Sequence, residues 1–275
     1  VAGSRVVADT ALLFSWEAWW ATEGEGRPSQ AVNYLDQVHA AYRGLRELGV
    51  TTDVTSPDTD LSAYRLVVVP CLYLVTDEQA AALATYVANG GRVVVTFFSG
   101  IADADDRIRL GGYPGAFREL LGVSAEEFAP VEPGARITLD DGSRAGLWTE
   151  RLRATAASVV ARYADGPLPG TPAITRNRFG AGQAWYVATA LEPAALRSVL
   201  RAARGAPGDG PENAGEIEVV RRRDDQHTYL FVINHSETEI EYAGTGRDLV
   251  SGEDVSGRVR VSPGGVRVLR EENRP

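Results

Sequence analysis

The chain holds 37 acidic residues, one cysteine and three histidines in 275 residues, and these bound the chemistry open to it. Hydrolysis of a sugar bond needs two carboxylates on a rigid scaffold, about 5 Å apart when configuration is retained. Glu17 and Glu23 lie beside the cluster Trp16, Trp19 and Trp20. The segment between them reads as a glycine-rich, mobile loop, so the pair reads as solvated or interface charge. Cys71 follows an apolar run, where a strand-end nucleophile could sit. A reactive thiolate needs a base or positive charge beside it, and the neighbours are Pro70, Leu72 and Tyr73. His39 is the nearest histidine in sequence, so a buried inert thiol is the default. Ser99 ends the next apolar run, but Phe97-Phe98-Ser99-Gly100-Ile101 is not the G-x-S-x-G elbow. His227 and His235 lie near the C-terminus, so a nucleophile–histidine–acid triad would span two domains. The same scatter leaves no recognisable zinc site, and Gly111–Gly115 lacks phosphate-loop spacing. No cofactor and no metal are expected.

Two clusters remain. Trp16, Trp19 and Trp20 are large amphipathic rings, suited to sugar stacking, to a subunit interface or to packing within the domain. Asp103, Asp105, Asp106, Arg107 and Arg109 form a dense loop of mixed charge. It is either a solvated loop or a set of arginine forks for a partner's carboxylates.

The elements that position these residues are readable. Leu66–Val69 and Val93–Phe98 are unbroken apolar runs, the pattern of strands covered on both faces. Between them Thr76 and Gln79 form a capping box that opens a helix, and Asn89-Gly90-Gly91 closes it. This is a strand–helix–strand unit of a parallel sheet. A first strand ends at Phe14. A helix from about Ser29 to Leu48 carries the stripe Val32, Leu35, Val38, Tyr42, Leu45 and Leu48, and Thr51–Thr55 is a second short strand. After a short helix ending at Gly122 the chain turns β-rich, with strands at Arg136–Leu139, Ser158–Tyr163 and Gln183–Thr189. Glu192–Ala203 is a last helix, and Gly205–Gly215 reads as a linker. About four alternating units are too few for an eight-fold barrel. The expected fold is α/β, a doubly wound, mostly parallel sheet of flavodoxin-like order, with a small C-terminal antiparallel β domain.

Composition excludes several classes. A net charge of −9 argues against nucleic-acid binding, which needs a basic face. Arg221-Arg222-Arg223 is followed at once by Asp224-Asp225 and reads as a solvated strand end. No run approaches the ~20 apolar residues of a membrane span. One cysteine fits a reducing compartment, so a cytoplasmic setting is expected. The chain has no lysine and no methionine, so Val1 reads as the start of a fragment or a processed or engineered product.

The segments RLVVVPCLYLVTD (Arg65–Asp77) and SGIADADDRIRLGGYPGAF (Ser99–Phe117) resemble glycoside hydrolase family 42, the β-galactosidases. They are similar to the middle domain that holds those enzymes together as trimers. ALLFSWEAWWATEGEGRPS (Ala11–Ser29) is similar to the start of that domain. FVINHSETEIEY (Phe231–Tyr242) and DLVSGEDVSGRVRVSPGGVRVLR (Asp248–Arg270) resemble the small β domain that ends the family's chains. The resemblance leaves out the N-terminal barrel, where the family keeps both catalytic glutamates. No position here matches their motifs, so no catalytic residue carries over.

The resemblance implies an amidotransferase-like trimerisation domain over residues 1–210 and a small β domain over 216–275. It implies a homotrimer and a parent enzyme whose barrel hydrolyses terminal β-galactosides. Trp16, Trp19, Trp20, Asp103, Asp106, Arg107 and Arg109 are then candidates for the substrate mouth or the subunit interface. Two other classes stay open. One is an amidotransferase-like enzyme in its own right, with Cys71 or Ser99 as nucleophile. The other is a carbohydrate-binding module that uses the tryptophans.

Overall fold

The computed structural model describes residues 1–24, 27, 29–206 and 217–273. Most of the expected linker over 205–215 lies outside the described residues. Compactness divides the chain into two units. One comprises Thr10–Tyr42 and Val54–Gly205; the other comprises Val1–Asp9, Arg43–Asp53 and the described residues from Ala206 onward.

The larger unit is built on a seven-stranded sheet. Its order is Ser158–Arg162, Pro172–Phe179, Gly182–Val187, Arg92–Thr96, Leu66–Val69, Thr10–Leu13 and Thr52–Thr55. The four strands from Gly182–Val187 to Thr10–Leu13 are parallel, with Val94 opposite Val68 and Val68 opposite Leu12. The first two strands join antiparallel. Every residue of Leu66–Val69 and Thr10–Leu13 is buried, as unbroken apolar runs require. At roughly 1.5–3 kcal/mol for each large aliphatic side chain, these short strands anchor the unit.

Helix α1 spans Trp16–Glu23, α2 Tyr34–Glu47, α3 Asp77–Ala88, α4 Arg118–Leu121 and α5 Pro193–Arg204. The capping box of α3 is present: the Thr76 hydroxyl accepts from the Gln79 N–H, and the Gln79 side chain accepts from the Thr76 N–H. Helix α2 starts at Tyr34 and not at about Ser29 as expected, because Asn33 Oδ1 accepts from the Asp36 N–H and caps it there. Its buried face is Tyr34, Val38, Ala41 and Leu45, while Tyr42 is exposed.

The β-rich stretch after Gly122 holds more strands than its sequence pattern reveals. Val123–Pro130 pairs with Trp148–Ala154, with a register shift between Ala125 and Phe128. Glu126 and Glu127 sit at that bulge, so the alternation that marks a half-buried strand is broken there. Short strands Ile137–Thr138, Arg144–Gly146 and Ala190–Leu191 form a further small sheet.

The smaller unit is a six-stranded antiparallel sheet. Its order is Arg5–Val6, Ile217–Arg223, His227–Asn234, Val266–Glu272, Ile240–Asp248 and Asp254–Val261. Its core gathers Val219, Leu230, Val232, Val259, Val261 and Leu269. Residues 1–9 thus belong with the C-terminal strands, because Arg5–Val6 extends their sheet.

Candidate functional site

Parallel strands place their carboxyl ends on one edge, and in open α/β sheets that edge carries function. Here α1 leaves the end of Thr10–Leu13, residues 70–76 leave Leu66–Val69, and residues 97–117 leave Arg92–Thr96. Both clusters singled out in the sequence lie on these connections.

The tryptophans sit on α1 and not on a glycine-rich loop; the glycines begin only at Gly24. Ser15 caps the helix by accepting from the Ala18 N–H at 3.1 Å, and its own N–H donates to the Tyr34 hydroxyl at 3.0 Å. Glu17 and Glu23 are therefore held on a helix, about two-thirds of a turn apart around its axis, and both are exposed. The Phe14 ring meets Trp16 edge-on at 5.1 Å and lies 6.2 Å from Trp19. Trp16 and Trp20, one turn apart, have ring centres 6.1 Å from each other and are 54% and 61% exposed, while Trp19 is half-buried.

The charged loop is tied mostly to itself. Asp103 Oδ1 accepts from the N–H groups of Asp105 and Arg107, and the Arg107 N–H is the main cause of its lowered pKa. Arg107 pairs with Asp105 at 3.1 Å, both exposed. Arg109 turns inward, donating to the Val75 carbonyl at 2.7 Å and to Asp77 at 2.6 Å in the first turn of α3. Asp106 faces Arg27 at 3.1 Å. Arg27 also donates to the Ala21 carbonyl and the Tyr73 hydroxyl, and its guanidinium lies 4.2 Å from the Tyr73 ring centre. One arginine therefore fastens α1, the loop after Val69 and the charged loop together. Ile108 and Leu110 beside it are exposed, Leu110 by 90%.

Behind this surface lies a small cavity of about 130 Å³, lined by Arg27, Tyr73, Phe98, Tyr113, Phe128, Trp148 and Glu150 among others. Phe128 stacks on Trp148 at 5.0 Å and Phe98 meets Trp148 edge-on at 5.2 Å. Glu150 is only 2% exposed. Its carboxylate accepts from Trp148 Nε1 at 2.9 Å and from the Tyr186 hydroxyl at 2.7 Å. Burial outweighs these bonds and raises its pKa to about 7.

The nucleophile candidates are sealed. Cys71 is fully buried in a left-handed conformation (φ 45°), and burial pushes its thiol up to about 12. The Thr96 hydroxyl donates to its Sγ at 3.7 Å and accepts from its backbone N–H at 2.9 Å. Ser99 is also fully buried, its Oγ accepting from the Leu72 N–H. His39 is exposed on α2, and His227 and His235 belong to the smaller unit. Among the described residues no three His, Cys, Asp or Glu side chains gather as a metal site, and no described helix is long and apolar enough to cross a membrane.

Residues 8–207 match a family model described as the β-galactosidase trimerisation domain, and residues 216–271 one described as the β-galactosidase C-terminal domain. The chain belongs to the β-galactosidases of glycoside hydrolase family 42. A β-galactosidase of Arthrobacter sp is 42% identical over 99% of this chain and 39% of its own length. The crystal structure of a β-galactosidase from Bacillus circulans sp. alkalophilus superposes with a TM-score of 0.91 at 35% identity, over 98% of this chain and 42% of that one. A catalytic mutant of Gan42B, a GH42 β-galactosidase from G. stearothermophilus, gives 0.88 at 29% identity, over 97% and 40%. This family-42 chain thus spans about 40% of the length of the relatives it matches.

Arg27 and Glu150 escaped the sequence reading of this family-42 region. Arg27 stands alone after a glycine-rich stretch, with no periodicity to mark it. Glu150 had a signal: it alternates with Trp148 and Leu152, in phase with the buried face of its strand.

Proposed function

We propose that this chain is the assembly region of a β-galactosidase that hydrolyses terminal β-galactosides, and that it works as a homotrimer. A trimerisation region would span residues 1–210 and a small β domain 216–275, with Arg5–Val6 joined to the latter's sheet. The order of the parallel strands supports reading the large sheet as doubly wound and flavodoxin-like. Hydrolysis belongs, in this reading, to a barrel carried elsewhere in the enzyme, and the chain alone turns over no galactoside. Cytoplasmic residence is part of the proposal; a single buried thiol suits a reducing compartment.

The observation that carries the assembly role is the exposed aromatic face of α1. Two tryptophans a helical turn apart stand largely in water, although burying apolar area yields roughly 25 cal/mol per Å². Such a face, with Leu110 as a further exposed apolar group, suits a neighbouring subunit. A cyclic trimer uses one heterologous interface that closes on itself. Asp103 and Arg107 stand at the solvent side of the same edge and suit its polar rim. Arg109, turned inward, would act by holding the loop.

Sedimentation across a concentration series tests this. The wild-type chain should show a trimer at high concentration, and W16A/W20A should shift it toward monomer. A strict monomer at every concentration sinks the reading. A second role, with the tryptophans at the mouth of a catalytic barrel, is favoured by their amphipathic rings. It predicts that W16A or W20A in the whole enzyme raises KM or lowers kcat several-fold without abolishing turnover.

A further inference from the structure

The Glu150 cavity is not used by the assembly role proposed above, yet it has the ingredients of a ligand site. A carboxylate buried in the interior is normally paired with a cation, since leaving it unpaired costs several kcal/mol. Glu150 accepts only from neutral donors: Trp148 Nε1, the Tyr186 hydroxyl and the Phe98 N–H. No ion-pair partner meets it among the described residues. Arg27 lines the same cavity, but its guanidinium is committed to Asp106, the Tyr73 hydroxyl and the Ala21 carbonyl.

The walls add a second, independent observation. Tyr73, Phe98, Tyr113, Phe128 and Trp148 all line the cavity. The Tyr73 and Phe98 rings stack at 5.1 Å, and Tyr113 meets Phe128 edge-on at 5.5 Å. Aromatic faces carry partial negative charge and attract cations, more strongly where water is excluded. An anion would meet both the carboxylate and these faces and be repelled. A neutral alcohol would leave the carboxylate's charge unmatched. The volume of about 130 Å³ holds on the order of four waters, so the occupant is compact.

We propose that this cavity binds a small organic ammonium ion, with the N–H groups on Glu150 and the alkyl part against the aromatic walls. Ile108, half-exposed at the cavity's lining, marks the approach from solvent. The proposal stands apart from trimer formation and can fail or hold without it. A carboxylate with three bonds accepted retains one of its roughly four acceptor sites, and an ammonium donor would fill it.

The test uses n-propylammonium chloride as probe at pH 8, where Glu150 is ionised, with 1-propanol as the neutral counterpart and sodium chloride to match ionic strength. Saturation-transfer NMR on the whole chain reads occupancy. A ligand of four heavy atoms offers few contacts, so saturable binding in roughly the millimolar range is expected. The substitution Glu150→Gln keeps the side chain's size and removes its charge; it should weaken binding by about tenfold or more. Ile108→Trp plugs the approach without touching Glu150 and should weaken it similarly. No saturable signal up to about 100 mM probe would overturn the proposal, as would equal binding of 1-propanol or undiminished affinity in either variant. If Glu150→Gln does not fold, Ile108→Trp and the alcohol decide.

Discussion

Arg27 holds its guanidinium 3.1 Å from the Asp106 carboxylate and 4.2 Å from the centre of the Tyr73 ring. These contacts join three connections that leave three different strands. Asp106 reaches Arg27 from a left-handed turn (φ 57°), which Asn tolerates as well as Asp. Asp106→Asn therefore isolates the charge and should cost under about 1 kcal/mol, since the Asp106 side chain is partly solvated. Arg27→Ala also removes the contact with the Tyr73 ring and the bonds to Ala21, and should cost about 2 kcal/mol. Urea unfolding of the two variants separates the contributions; equal losses would show that the ion pair carries everything.

Glu150 should leave a pH signature in stability. Burial raises its folded-state pKa to about 7 from the ordinary carboxylate value of 4.5. Between those values the folded chain holds a proton that the unfolded chain has released. The Glu150 contribution is thus full below the unfolded pKa and is lost as pH rises through about 7, amounting to about 3 kcal/mol. The buried Tyr163, Tyr186 and Cys71 stay protonated throughout this window, their pKa values all raised by burial. The difference in unfolding free energy between wild type and Glu150→Gln, measured at pH 5 and pH 8, should move by that amount in favour of the variant at pH 8. A constant difference would mean that Glu150 is ionised at both.

Cys71 should be inert in the folded chain. Its thiol is fully buried and held protonated at neutral pH, and only the thiolate reacts. Labelling with a disulfide reagent at pH 7.5 should proceed only as fast as the chain opens, and at full speed in denaturing urea. Rapid labelling of folded protein would revive a nucleophilic role.

Gly122 should resist replacement. It ends α4 at φ 61°, and a Cβ there would meet the Asn177 side chain at 2.8 Å and the Ala157 nitrogen at 2.9 Å. Its carbonyl accepts from the N–H groups of Thr155, Ala156 and Ala157, so the backbone cannot readily move away. Gly122→Ala should cost on the order of 2 kcal/mol, seen as a lower urea midpoint; a neutral result would show that the 155–157 turn yields.

By itself the sequence determined the central strands, because an unbroken β-branched run has no exposed face to spare. It determined the α3 box, because Thr76 and Gln79 cap through bonds that are local. It also determined the antiparallel sheet around Phe231–Ile233 and the family, through segments long enough to compare. It could not tell that Trp16–Glu23 is a helix, since aromatic residues and a glycine-rich sequel hide the N-cap that Ser15 supplies. Nor could it show that residues 5–6 complete the C-terminal sheet, a pairing more than two hundred residues apart. Tertiary structure alone decided which charges are spent internally. Arg109 is drawn to Asp77 in the first turn of α3, Arg27 to Asp106, and Glu150 to the Tyr186 hydroxyl, because each of these partners lies far off in the chain and is brought near only by folding.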